Sequence, residues 1–256
     1  MQRQLLTNKV AIVTGAGMGM GEATAILFAE EGARTIVADR DVNAGRATVE
    51  KIRAAGGEAH FVEVDVADEA AVADMVRATV EVYGRLDCAV NNAGITPDTA
   101  MVADADLAVF DRIIAVNLRS VLACMKYQIR QFLAQGQGGA IVNISSTTGI
   151  RPQATNSAYV AAKHGVIGLT KVASLEYAAE GVRVNCVLPG AIDTPLIQTA
   201  FKKLDLDPAE YAPILSLFNR LGTPREVAQA NLWLCSELAS YVTGHSLAVD
   251  AGYTSR

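Results

Sequence analysis

The chain is poor in the residues that hold metals and staples. Its 256 residues include three histidines and four cysteines. Cys88, Cys124, Cys186 and Cys235 lie 36, 62 and 49 residues apart, so no CxxC pair and no metal-ligand spacing exists. They read as reduced core residues of a cytoplasmic protein. His60, His164 and His245 are scattered, no second ligand stands at binding distance in sequence, and no metal is expected. Aromatics make up 5% of the chain and charged residues 19%. The formal net charge of −5 argues against a nucleic-acid surface, which is normally basic. No apolar run approaches the roughly 18 uncharged residues of a membrane helix, and the first residues lack the apolar stretch of a secretion signal. The hydrophobic share, 51%, is too high for a disordered chain.

What is present is alternation. Short β-branched runs begin at Val10, Arg34, His60, Leu86, Gly139 and Val182, with a closing run at Ser246–Val249. Helical spacing fills the intervals, with long helices expected near 104–134 and 156–180 and a last one near 224–237. Strands and helices in strict turn imply parallel strands joined by right-handed crossovers, hence one doubly wound α/β domain over residues 1–256. The stretch from about 190 to 222 shows no clear periodicity and is expected to be a substrate lid.

The first strand ends in Thr14-Gly-Ala-Gly-Met-Gly-Met-Gly21. GxGxxG fits in no register, because positions 20 and 22 are Met20 and Glu22, but GxxxGxG fits on Gly15, Gly19 and Gly21. Missing Cβ atoms let a backbone approach a pyrophosphate at the following helix N-terminus. Asp39 ends the second strand 18 residues after Gly21, where a carboxylate can accept hydrogen bonds from an adenosine ribose and repel a 2′-phosphate. NAD is therefore expected over NADP. Arg40 leans the other way, while Met18 adds no second cation.

Tyr159 and Lys163 lie four residues apart on one helix face, where an ammonium would stabilise a phenolate and lower its pKa. His164, one residue on, points about 100° away and is read as structural. Ser146 follows the fifth strand at the carboxyl end of the sheet, where open α/β sheets bind ligands.

TGAGMGMG (14–21), Asp65-Val66, Asn91-Asn92-Ala93-Gly94, Asn117, Ser146, YVAAK (159–163) and Pro189-Gly190-Ala191-Ile192-Asp193-Thr194 together resemble the short-chain dehydrogenase/reductase family over nearly the whole chain. The resemblance implies a seven-stranded Rossmann-type sheet of order 3-2-1-4-5-6-7. It implies a cofactor cleft built from the glycine turn (with Met18 and Met20), Asp39, Arg40, Asp65, Val66, Asn91, Ala93, Gly94, Pro189, Gly190, Ile192 and Thr194, with Tyr159 and Lys163 at its catalytic end. Tyr159 would be the general acid/base, and Ser146 would bond the substrate oxygen. Lys163 would bind the nicotinamide ribose and tune Tyr159, and Asn117 would hold a water in a proton relay. A homotetramer is also implied.

Thr96, Thr147, Gln153, Asn156, Leu196 and Phe201 are candidate substrate contacts, because they neighbour motif positions or the apolar lid. Arg151 is the nearby cation that could grip an acid. An apolar lid favours an apolar or cyclic secondary alcohol and its ketone. Two other readings stay open: an NADPH-dependent reductase of 3-oxoacyl groups on a carrier protein, which Asp39 opposes, and a dinucleotide sensor without catalysis, which the presence of Ser146, Tyr159 and Lys163 opposes.

Overall fold

A computed structural model describes residues 4–95, 98–203, 205 and 207–255. Seven parallel strands form one sheet: Val10–Thr14 (β1), Arg34–Asp39 (β2), Glu58–Glu63 (β3), Cys88–Asn91 (β4), Gly139–Ile144 (β5), Val182–Pro189 (β6) and Ser246–Val249 (β7). Their order is β3-β2-β1-β4-β5-β6-β7, as the resemblance implied. Every residue of β1 and β4 is buried, which is why these runs are continuously apolar rather than alternating.

Successive side chains of β1 feed opposite faces. Ala11 and Val13 enter a core with Phe28 of Gly19–Glu30 (α1), Ile52 of Val42–Ala54 (α2) and Leu234 of Pro224–Cys235 (α9). Ile12 enters the other, with Met75 of Glu69–Tyr83 (α3), Phe132 of Ser120–Gln135 (α5) and Val166 of Ser157–Tyr177 (α6). Phe28 and Phe132 are fully enclosed, and truncating either to alanine would cost about 3–5 kcal/mol.

The sheet order reverses between β1 and β4, opening a crevice at their carboxyl ends. Two expectations change. The long helix expected near 104–134 runs from 107 to 135 and carries a π-helical turn: Leu107–Ile114 (α4) leads into Ala115–Arg119 and on into α5. The excursion at 190–222 is not irregular; it holds Pro195–Lys203 (α7) and Pro208–Leu215 (α8). Both open on proline, whose fixed φ and missing N–H suit a first helical position, and Asp207 caps α8 through the Ala209 N–H. The ends of the excursion are tied together: the Gly222 N–H donates to Ala191 O at 2.9 Å and the Asp193 N–H to Gly222 O at 2.8 Å.

Candidate active site

The crevice is a cleft of about 320 Å³ running from the glycine turn to α6. Gly15, Met18, Gly19 and Met20 form one end, with Asp39, Arg40, Asp65 and Val66 beside them. Ala93, Gly94, Thr194 and Leu196 form the flanks, and Tyr159 and Lys163 stand at the far end.

The turn is shaped by close backbone approaches. Gly15 has a φ of +63°, and a Cβ on Gly21 would lie 2.0 Å from Gly15 O, so Gly21 acts from behind the wall as the spacer that lets α1 start against the turn. Gly17, which the spacing left unassigned, has a definite role: its N–H donates to Asp39 Oδ2 at 2.8 Å, and a Cβ there would meet that oxygen at 2.9 Å. The other carboxylate oxygen accepts the Asp41 N–H at 2.9 Å. Asp39 thus holds the turn as well as facing the cleft.

Asn92, rather than Asn91, reaches the cleft. Its amide donates to Thr14 O (2.9 Å) and Gly15 O (3.1 Å), while Thr14 Oγ1 accepts the N–H groups of Asn92 and Ala93. Asn91 points into the protein, where it bonds Gln128 and Asn143; Asn143 in turn donates to Thr170. Consecutive strand residues face opposite ways, so one of the two asparagines had to point inward.

Pro189, Gly190 and Ile192 also lie outside the wall of this cleft. Pro189 pairs with Val249, Gly190 is pressed against Asp250, and Ile192 is buried with a bridge to Gly222. Only Thr194 of that segment's predicted set lines the cleft.

At the catalytic end, Ser146 Oγ accepts the Thr148 N–H at 3.2 Å. Lys163 Nζ donates to Ile144 O at 2.8 Å and lies 5.5 Å from the centre of the Tyr159 ring. Burial pushes the Tyr159 phenol above its usual value, and the Ser146 hydroxyl pulls the other way. The lowering expected for this phenol is assigned to the lysine ammonium acting together with a nicotinamide ring beside it. The Lys163 amine is itself buried, and burial pulls it down to about 8, which leaves it mostly charged at neutral pH.

Asn117 sits in the π-helical turn, fully buried, with both ends of its amide on the backbone of Ile95: it accepts the N–H at 2.8 Å and donates to the C=O at 3.1 Å. The side chain is therefore a clip between the π-helical turn and the backbone of Ile95. Single π turns cluster at functional sites because they disturb the carbonyl ladder.

Among the substrate candidates, Leu196 lines the cleft, Thr147 is buried beneath it, and Phe201 is buried against Tyr211 with ring centres 6.3 Å apart. Gln153 is exposed and reaches the Tyr253 hydroxyl at 3.5 Å. The Asn156 amide, turned so that its nitrogen faces carbonyls, donates to Asp98 O at 2.7 Å. Thr96 lies outside the described residues. Arg151 is committed elsewhere: its guanidinium donates to Tyr253 O at 2.7 Å and covers that ring.

Asp98 and Ser145 were missed by the sequence reading. The Asp98 carboxylate bonds the first turn of α6, and Ser145 Oγ donates to Lys163 O at 2.8 Å. No short motif marks either, because each partner is far along the chain. Among the described residues, no group of three or more histidine, cysteine or acidic side chains converges on a possible metal position.

The cradle fits a dinucleotide. Gly15 and Gly21 admit no Cβ, because each would collide with backbone, and a cleft-facing carboxylate and a buried amine stand at the two ends. Known proteins agree. A family profile described as enoyl-(acyl carrier protein) reductase matches residues 15–254. The chain is 45% identical over 252 residues, 98% of this chain and 97% of the other, to a short-chain dehydrogenase/reductase, astE, of Aspergillus oryzae. It is 42% identical over 249 residues (97% and 96%) to a cyclohexanol dehydrogenase of an Acinetobacter species. The crystal structure of levodione reductase superposes with a TM-score of 0.92 at 36% identity, covering 98% of this chain and 99% of that one. On the glycine turn, the YVAAK helix, the sheet order and these likenesses, the chain belongs to the short-chain dehydrogenase/reductase family, whose members are oxidoreductases dependent on a nicotinamide dinucleotide.

Proposed function

We propose that the chain is an NAD-preferring dehydrogenase that interconverts a secondary alcohol, carried on an apolar or cyclic skeleton, and its ketone. The observation that carries the reading is the placement of Tyr159, backed by Lys163, in the same cleft as the glycine turn. Gly15, Gly19, Asp39, Asp65, Val66, Ala93, Gly94 and Thr194 would hold the dinucleotide, with Asn92 shaping the turn. When bound, that group accepts a hydride from the alcohol carbon or returns one to the ketone.

The chain's own side chains handle the proton and the oxygen. In oxidation, the Tyr159 oxygen takes the hydroxyl proton; in reduction it gives one back. Ser146 donates to the reacting oxygen as charge develops on it. Lys163 supplies positive charge behind the phenol, and the lid excludes water. Because the phenol sits above its usual value, oxidation should speed up as pH rises through the alkaline range and reduction should slow over the same interval.

The cyclic skeleton is supported by the cyclohexanol dehydrogenase among the relatives and by Leu196, Pro195 and Ile95 in the cleft wall. NAD is supported by the cleft-facing Asp39; Arg40 at the same wall is the feature that favours NADP. A homotetramer in the cytoplasm is proposed on family grounds, supported by four buried, unpaired cysteines.

Replacing Tyr159 by phenylalanine deletes only the proton-transfer oxygen. Turnover of cyclohexanol with NAD, followed as NADH formation, should fall by about 10³-fold with NADH affinity nearly unchanged. A variant keeping a tenth of the parent turnover would refute the role.

A further inference from the structure

The helix that carries Tyr159 and Lys163 begins without a cap of its own. Asn156 stands at the capping position but makes no side-chain bond to the helix, so the first N–H groups need another acceptor. That acceptor is Asp98, 59 residues upstream of Ser157. Its Oδ2 accepts the Ser157 hydroxyl at 2.9 Å and the Ala158 N–H at 3.2 Å, and its Oδ1 accepts the N–H of Tyr159 itself at 3.3 Å. The Asn156 amide adds a tie to the Asp98 carbonyl at 2.7 Å. Burial opposes the charge on Asp98, but these donors outweigh it and hold the carboxyl below its usual range.

Asp98 also belongs to the connection that walls the dinucleotide cleft. Six residues earlier Asn92 is bonded to the glycine turn, and three residues earlier Ile95 is clipped on both sides by Asn117. One short segment is thus fastened in turn to the cofactor turn, to the π-helical turn and to the catalytic helix.

We propose that Asp98 is the positioning residue for the Tyr159 phenol: its carboxylate caps α6 from the connection after β4 and registers the catalytic helix against the dinucleotide cleft. The proposal rests on the dehydrogenase reading for its kinetic consequence, but the cap itself can be read without substrate. A generic cap would change stability alone. A register-setting cap changes turnover, because displacements near 1 Å cost up to about 10² in rate.

The test compares Asp98→Ala, Asp98→Asn and Ser157→Ala with the parent, measuring cyclohexanol oxidation, NADH affinity by fluorescence, and amide hydrogen exchange. In Asp98→Ala, kcat should fall at least about tenfold with KM and NADH affinity within about twofold, and Asp98→Asn, which keeps one acceptor oxygen of the two, should lie between the parent and Asp98→Ala. Exchange at Ala158 and Tyr159 should quicken at least about tenfold in Asp98→Ala. An unchanged kcat, a matching loss of NADH affinity, or unchanged exchange at Ala158 and Tyr159 in Asp98→Ala would overturn the proposal. Should Asp98→Ala fail to fold, Ser157→Ala removes one of the three bonds; a kcat drop of about two- to fivefold supports the proposal, and none overturns it. A parent that oxidises no secondary alcohol would sink the dehydrogenase reading instead; the exchange result would then decide on Asp98 alone, unchanged exchange overturning the cap.

Discussion

Replacing Lys163 by methionine should make the protein more stable and inactive at once. The residue is 5% exposed, and burial brings its amine from 10.5 to about 8. That difference of about 2.5 units, at about 1.4 kcal/mol per unit, means that keeping the folded amine charged at pH 7 costs about 3 kcal/mol. Methionine has similar length and no charge. The loss on the other side is the bond from Nζ to Ile144 O, about 1–2 kcal/mol if that carbonyl is left bare. The variant should therefore gain about 1–2 kcal/mol at pH 7. The sign of the pH dependence follows from a folded value below the unfolded one. The penalty is fully present below about pH 8 and fades as pH rises towards 10.5, because over that interval the unfolded chain binds more protons. Between pH 7 and pH 10 the parent should gain about 2–3 kcal/mol relative to the variant. Urea unfolding of both proteins at the two pH values, followed by circular dichroism, measures the change. A gap that stays constant or moves the other way would refute the reasoning, and with it the idea that this amine is held at a cost for chemistry.

Asp39→Ala should do more than relax cofactor choice. It removes the acceptor of the Gly17 and Asp41 N–H groups, so NAD affinity should fall at least about tenfold while NADP gains less than NAD loses, as titrations with each nucleotide would show. Asn117→Ala leaves the Ile95 N–H and C=O without their partner and should lower stability by about 2 kcal/mol in urea unfolding, with turnover reduced as well. The mass of the protein in solution, by light scattering, should be larger than that of a dimer.

The fold was legible because its signals are local. The β1 and β4 runs are apolar on both faces, and each crossover helix carries its own spacing and stops, so strand and helix alternation could be read directly. The π-helical turn was not, since Val116–Leu118 continue the helical pattern and only the Asn117–Ile95 bonds show why the ladder opens there. In the lid, charged residues mask the periodicity of α7 and α8, although Pro195 and Pro208 mark their starts. Within the site, Gly15, Asp39, Tyr159 and Lys163 belong to motifs whose members act within a few residues of one another or at a known strand end. Asp98, Asn92 and Gly17 act on partners set by the closed sheet, and no periodicity announces such a partner.

The two halves of the site meet because β4 and β5 are neighbours whose ends are tied by side chains as well as by backbone. Asn91 and Asn143 are register partners, bonded to each other at 2.9 Å; Gln128 holds Asn91 from α5 and Thr170 holds Asn143 from α6. One residue beyond Asn91, Asn92 turns to the glycine turn; two residues beyond Asn143, Ser145 turns to the Lys163 carbonyl. Each inward asparagine thus fixes the exit of a strand whose next residues serve the cleft. A fully satisfied buried network of this kind admits few alternative arrangements, since breaking one bond strands a second polar group. The cost of burying four amide and hydroxyl side chains between strand and helix is offset by the precision with which the cofactor wall and the catalytic helix are placed relative to one another.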